Sequence, residues 1–77
     1  MAHERMKRTG VEGDIREELT KAIQQHGWFK SPHEAYGVLA EEVYEVLMAL
    51  HSNDPKQMYK ELSQVAAVAM KAMILLQ

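Results

Sequence analysis

The sequence predicts an all-α protein, a three-helix chain that forms a helical bundle completed by homo-oligomerisation. Helix-start and helix-stop residues divide the chain into three segments, and apolar residues recur within those segments at helical spacing. No alternating β-strand pattern competes with this interpretation. The last segment is apolar nearly all round, and a helix of that kind must be covered on more than one side.

The first helix is predicted from the residues that border it. Residues 1–13 are expected to form a flexible N-terminal arm, and residues 14–77 a single helical domain. Asp14 and Glu17 have the spacing of a capping box, and Gly27 is a typical stop after a helix. The first helix is therefore expected over residues 14–26.

The second and third helices begin at stronger signals. Ser31 is a typical cap, and it is followed by proline at the first helical position and an acidic residue at the third. The segment Ser52-Asn53-Asp54-Pro55 ends this helix and caps the next one. Helices are therefore expected over residues 32–51 and 55–76. Because the turn between them is short, they should pack as an antiparallel hairpin.

Helical periodicity predicts one apolar stripe on each of these two helices. Two polar pairs, Glu42 with Glu45 and Glu61 with Gln64, lie to the same side of their stripes, by about 60° and 120° at 100° per residue. A packed hairpin would bring the pairs together. The predicted stripes consist of Leu39, Val43, Val46, Leu47 and Leu50 on the second helix, and of Met58, Leu62, Val65, Ala69, Ala72 and Leu76 on the third.

Size and composition limit the possible functions. The chain has 77 residues and no cysteine, which excludes a disulfide framework, a thiolate zinc site and a cysteine nucleophile. A net charge of −2 gives no electrostatic basis for nucleic-acid binding. The most apolar stretch, residues 65–76, contains Lys71 and is too short to cross a membrane. We therefore expect a cytoplasmic protein without nucleic-acid or membrane partners. Because so short a chain buries a small core, we expect a homodimer or a dimer of dimers.

The two polar pairs point to metal chemistry. Side chains three residues apart share a helix face, so Glu42, Glu45, Glu61 and Gln64 can converge on one point. Oxygen ligands of this kind suit Mg²⁺, with Mn²⁺ as an alternative. A solvated, glutamate-rich helix surface is the competing interpretation. Glu41 lies further round the helix and is at most an accessory ligand.

The segment from residue 26 to residue 71 resembles the MazG-like, all-α nucleoside triphosphate pyrophosphohydrolases. That family is marked by E-E-x-x-E on one helix and E-x-x-D on the next, which stand here as Glu41-Glu42-Val43-Tyr44-Glu45 and Glu61-Leu62-Ser63-Gln64. The resemblance implies a Mg²⁺-dependent conversion of a nucleoside triphosphate to the monophosphate and pyrophosphate. It also implies that Glu42, Glu45 and Glu61 are the catalytic metal ligands.

This chain departs from the family pattern at Gln64, where aspartate is usual. An amide oxygen can ligate a metal, but it adds no negative charge and cannot act as a base. The expected consequences are weaker binding of metal or fewer bound metals, or a base supplied by Glu45 or Glu41. The alternative is a catalytically inactive helical dimerisation module that retains the MazG-like fold.

Three residues are weaker candidates for substrate binding. Trp28 could stack on a nucleobase, although a hydrophobic lid on the bundle is the competing interpretation. Lys30 and Lys71 could meet triphosphate oxygens, although most lysines are solvent charges. There is no glycine-rich phosphate loop and no serine or cysteine triad.

Overall fold

The computed structural model describes residues 2–77, with side chains from residue 7 onward. This part of the chain is all-α and contains no strand. None of its helices is both long and apolar enough to span a membrane. The three helices are α1 (Ala2–His26), α2 (Pro32–His51) and α3 (Pro55–Leu75).

The first helix begins far earlier than the sequence predicts. It starts at Ala2 and continues through Gly10 and Gly13, so the predicted start at Asp14 is wrong. Glycine lowers helix stability by about 1 kcal/mol relative to alanine but does not end a helix. Asp14 is not a cap, and its carboxylate accepts a hydrogen bond from the Tyr59 hydroxyl of α3. Met1, also in the predicted arm, lies outside the described residues.

The other helix ends follow the predicted signals. Gly27 has φ +70° and donates its N–H to the Ile23 carbonyl, which ends α1. The Ser31 hydroxyl accepts from the Glu34 N–H at 3.1 Å, and the Glu34 carboxylate accepts from the Lys30 N–H at 2.9 Å. This arrangement is a variant of the capping box, in which Glu34 accepts from the residue before the cap and not from the N–H of Ser31 itself. Asp54 caps α3 in the same manner, accepting from the Gln57 N–H.

The cap at Ser31 gives a direct test of this helix start. Ser31→Ala should lower the free energy of unfolding by about 1 kcal/mol, because it leaves the Glu34 N–H without its acceptor. Ser52→Ala is the matched control at the other end of α2. There the hydroxyl donates to the Met48 carbonyl and does not accept from an unpaired backbone N–H. Urea unfolding of both variants makes the comparison, and an equal loss from both would contradict the capping role.

The three helices are arranged with α3 in the middle. α3 packs against α2 as the second arm of the predicted hairpin and against α1 on another side, whereas the described residues of α1 and α2 do not pack against each other. The Cα framework is a slab of 39 × 30 × 19 Å. Consequently a groove runs between α1 and α2, with α3 as its floor.

The packed faces differ from the predicted apolar stripes. α2 meets α3 through Ala35, Ala49 and their neighbours, and the buried cluster joins Phe29, Ala35 and Val68. Several large side chains of the predicted stripes remain exposed, among them Leu47 at 44%, whereas Leu39 of α2 and Ala72 of α3 pack against the buried cluster. Small residues form the contact because they let the two helix backbones approach closely, and bulkier side chains then lie outside the contact. The stripe prediction therefore holds for Leu39 and Ala72 and is wrong for the exposed members such as Leu47.

Candidate metal centre

Three carboxylates from two helices converge where α2 meets α3. Glu42 and Glu45 lie one helical turn apart on α2, and Glu61 faces them from α3. One carboxylate oxygen from each of the three lies within 4.8 Å of the others. Burial is graded across the cluster: Glu61 is only 6% exposed, Glu42 is half-buried and Glu45 is exposed. The cluster therefore has one anchored carboxylate and an open side toward solvent.

Glu61 is fixed in place by amide groups on both sides. The Gln57 amide, one turn earlier on α3, donates to Glu61 Oε1. With its NH₂ group toward the cluster, Gln64 donates to Glu61 Oε2 at 2.9 Å and to Glu42 Oε2 at 3.1 Å. Gln64 thus bridges carboxylates of the two helices. Its oxygen would face a bound ion only after the amide turned over.

The closely spaced carboxylates of the cluster favour the binding of protons or of a cation. Burial raises the pKa of Glu42, and the charges of Glu61 and Glu41 raise it further. A hydrogen bond with Glu61 raises the pKa of Glu45, and the nearby charge of Glu42 adds to this. Like charges held this close disfavour full ionisation. A divalent cation would replace the missing protons as the neutralising charge.

The donor set fits a hard divalent cation. All three side chains offer oxygen, the ligand type that Mg²⁺, Mn²⁺ and Ca²⁺ prefer in proteins. Oxygens bound to one such ion at 2.0–2.6 Å are separated by at most about 4–5 Å. The 4.8 Å span of the cluster therefore fits one Ca²⁺ directly, whereas Mg²⁺, with ligands at about 2.0–2.1 Å, would draw the three oxygens to within about 4.2 Å of one another. The predicted ligands Glu42, Glu45 and Glu61 could hold a metal ion together, while Glu41 lies outside this group.

A cleft of about 300 Å³ adjoins the cluster in the groove between α1 and α2. Glu42 and Gln64 open onto it, and Ala67 and Val68 form part of its floor. Its ionisable lining consists of Glu18, Lys21, His26, Glu42 and Lys60. Cationic and acidic groups therefore share one cleft beside the cluster.

The three predicted substrate residues lie away from this cleft. Trp28 and Lys30 are exposed in the loop before α2, and neither is part of the described cleft lining. Lys71 is 4% exposed, and its Nζ lies 4.2 Å from the centroid of the Phe29 ring. This contact is a cation–π interaction that fastens the 27–31 loop to α3. In this structure Lys71 thus stabilises the loop.

Sequence reasoning missed the contribution of α1. Lys21 and Glu18 line the cleft, and they form an ion pair at 3.7 Å. Helical periodicity places Glu18, Lys21 and Gln25 on one face of α1, which is a signal in the sequence. It does not say which face meets α3, so it could not assign these residues to the site.

The raised pKa values of Glu42 and Glu45 predict how metal-free stability depends on pH. The folded protein binds these protons more tightly than the unfolded chain, so their stabilising effect is present at low pH and is lost as the pH rises above about 4.5. Glu45→Gln should therefore match the native protein near pH 4 and melt at a higher temperature near pH 8, in the presence of a chelator. Glu12→Gln, on the exposed side of α1, should show no such crossover. If the melting temperatures of Glu45→Gln and the native protein depended on pH in the same way, repulsion among the carboxylates would be contradicted.

In comparisons with protein-family models, curated proteins and solved structures, none matched this chain.

Proposed function

We propose that this protein is a nucleoside triphosphate pyrophosphohydrolase that depends on Mg²⁺, with Mn²⁺ as a possible substitute. The observation that carries the proposal is the convergence of Glu42, Glu45 and Glu61 from two helices. The same three positions are those implied by the resemblance to the MazG-like enzymes. A surface cluster would not need a buried carboxylate with an amide donor on each side, as Glu61 has.

In the proposed reaction, water attacks the α-phosphorus, the bond from that phosphorus to the bridging oxygen of the β-phosphate breaks, and pyrophosphate leaves. Bound Mg²⁺ would acidify or orient the water and neutralise charge on the phosphate oxygens. Glu61, the most buried of the three, fixes the ligand position. Glu45 is the exposed carboxylate of the three, which makes it the candidate to accept the proton of the attacking water.

The cleft beside the cluster supports a phosphorylated substrate. Lys21 and Lys60 bring two cations to its walls, which can meet negative phosphate oxygens. Lys21 Nζ lies 3.6 Å from a carboxylate oxygen of Glu17 and 3.7 Å from one of Glu18. Because the Lys21 side chain is more than half exposed, it remains accessible to an anion.

The direct test is a panel of ribo- and deoxyribonucleoside triphosphates with pyrophosphate detection. Purified protein with Mg²⁺ should release pyrophosphate and the monophosphate in equal amounts from at least one substrate, and a chelator should stop the release. Orthophosphate with a diphosphate product would show cleavage at the other anhydride bond. No product above background from any substrate, with Mg²⁺ or Mn²⁺, would refute the activity.

A second candidate is a catalytically inactive helical dimerisation module. The observation in its favour is Gln64, whose amide supplies hydrogen-bond donors to Glu42 and Glu61 in place of a ligand charge. The two functions differ in the effect of Mg²⁺ on thermal melting. An ion that binds only the folded protein raises the melting temperature, and a module without a site shows no rise.

A further inference from the structure

The side chain of Gln57 joins the start of α3 to the metal cluster. Gln57 is the third residue of α3, three positions after the cap Asp54. In a capping box, a glutamine at this position accepts from the backbone N–H of the cap. Here the Asp54 N–H donates to the Ala49 carbonyl, and the Gln57 amide donates to Glu61 Oε1. The Gln57 side chain is therefore directed along the helix toward the cluster and not back to the cap.

Gln57 and Gln64 hold the Glu61 carboxylate from opposite directions along α3. Gln57 precedes Glu61 and Gln64 follows it, so about 10 Å of helix axis separates the two glutamines. Gln57 donates to Oε1, whereas Gln64 donates to Oε2 at 2.9 Å and also reaches Glu42. The terminal torsion of a glutamate has a broad range when nothing holds it. With one amide on each oxygen, the Glu61 carboxylate is held in one rotation, with Oε2 on the side of Glu42.

Within the part of the chain that the structure describes, Glu42 and Glu45 are held less firmly than Glu61. Glu42 has one amide partner, Gln64, and Glu45 makes its hydrogen bond with Glu61 itself. Glu42 is half-buried and Glu45 is exposed, so both side chains have room to move toward an ion at Glu61. Glu61 is therefore the ligand whose orientation is fixed before an ion binds.

The contact between Gln57 and Glu61 does not serve the packing of the core. Gln57 is exposed, whereas the carboxylate that it holds belongs to a residue that is 6% exposed. A surface glutamine has water as an alternative partner and loses rotamer freedom when one contact holds it. The hydrogen bond therefore acts on the orientation of Glu61, and its loss would open no cavity.

The number of oxygens that Glu61 offers decides which cation fits. Ca²⁺ takes about six to eight oxygen ligands and accepts both oxygens of one carboxylate, whereas Mg²⁺ requires near-octahedral geometry and keeps several waters. The 4.8 Å span of the cluster admits Ca²⁺, so a preference for the smaller ion needs a further constraint. For both oxygens to face one ion beside Glu42, the Glu61 carboxylate would have to rotate away from Gln57.

We propose that Gln57 is a positioning residue of the metal centre, which restricts Glu61 to ligation through one oxygen and thereby favours Mg²⁺ over Ca²⁺. The inference rests on the proposed function for the presence of the metal centre, and it adds the residue that sets the selectivity of that centre. Hydrogen-bond partners of this kind orient metal ligands, and their loss typically lowers metal affinity by about 10- to 100-fold.

The test is isothermal titration of the full chain with Mg²⁺ and with Ca²⁺ in separate experiments, without nucleotide. Gln57→Met keeps the length of the side chain and removes the donor. We expect the ratio of Ca²⁺ affinity to Mg²⁺ affinity to rise by about 10-fold or more, chiefly through weaker binding of Mg²⁺. Gln24→Met is the matched control, since Gln24 is exposed on α1 and lies outside both the cluster and the lining of the cleft. It should keep the native ratio.

Two further variants separate the hydrogen bond from a general disturbance of the helix. Gln57→Ala removes the donor with a strong helix-forming residue and should change the ratio in the same way as Gln57→Met. Gln57→Lys keeps a donor within reach of Glu61, so it should retain the native ratio while its charge weakens the binding of both ions. If the donor-free variants keep the native affinities, or bind both ions more weakly by the same factor, Gln57 does not select the ion and the proposal is overturned.

Failure of this proposal is distinguishable from failure of the proposed function. Metal selectivity that depends on Gln57, in a protein that releases no pyrophosphate from any nucleotide, would uphold this role and refute the hydrolase. A native protein that binds neither ion would overturn both. Pyrophosphate release by the native protein, together with an unchanged ratio of affinities in Gln57→Met, would overturn the role of Gln57 alone.

Discussion

Glu61→Gln should reduce pyrophosphate release by at least about 100-fold at saturating Mg²⁺, while the protein remains folded. Glu61 is the anchored carboxylate of the cluster, at 6% exposure. The substitution conserves shape and removes the charge that faces Glu42 and Glu45. We expect the same substitution to abolish the effect of Mg²⁺ on melting. For the native protein, Mg²⁺ at about 100 times its dissociation constant should raise the melting temperature by about 10 °C or more.

Glu12→Gln is the control for this experiment. It makes the same change of charge and shape on α1, outside the carboxylate cluster. It should retain both the activity and the melting response to Mg²⁺. The outcome that would count against the metal centre is a Glu61→Gln protein with undiminished activity. A native protein whose melting ignores Mg²⁺ and Mn²⁺ would favour the inactive module.

Gln64→Asp should tighten binding of Mg²⁺ by about 10-fold or more, because it adds a fourth oxygen ligand with a full negative charge. The same change should destabilise the metal-free protein at neutral pH. Gln64 now donates to both Glu42 and Glu61, and aspartate would replace these donors by a further repelling charge. The variant should therefore melt below the native protein with a chelator and show a larger rise when Mg²⁺ is added.

Gln25→Asp provides the matched comparison, because Gln25 lines the same cleft from α1. Isothermal titration with Mg²⁺, performed without nucleotide, distinguishes the effect of the new carboxylate's position from the effect of its added charge on Mg²⁺ affinity. If both variants bind Mg²⁺ equally well, the gain comes from the general field of the cleft and Gln64 is not at a ligand position. Higher pyrophosphate release from Gln64→Asp would show that the amide limits activity in the native protein.

Local sequence signals determined the helix ends where one residue completes the cap by itself. Ser31, Asp54 and Gly27 act within four residues of their own position, so their effect can be deduced from the sequence. The start of α1 could not be predicted in this way. Gly10 and Gly13 weaken a helix without stopping it, and the expected cap Asp14 is engaged by Tyr59 of α3.

The sequence by itself also determined that Glu42 and Glu45 share one helix face, and that Glu61 lies at a matching position on the neighbouring helix. Only the tertiary structure decided that small residues make the α2–α3 contact, so that Glu61 is buried within the cluster. It likewise decided that Lys21 of α1 borders the cleft while Lys71 is covered by Phe29. The physical reason is that helical spacing fixes angles within one helix, whereas the rotation of each helix against its neighbours depends on the packing of all three.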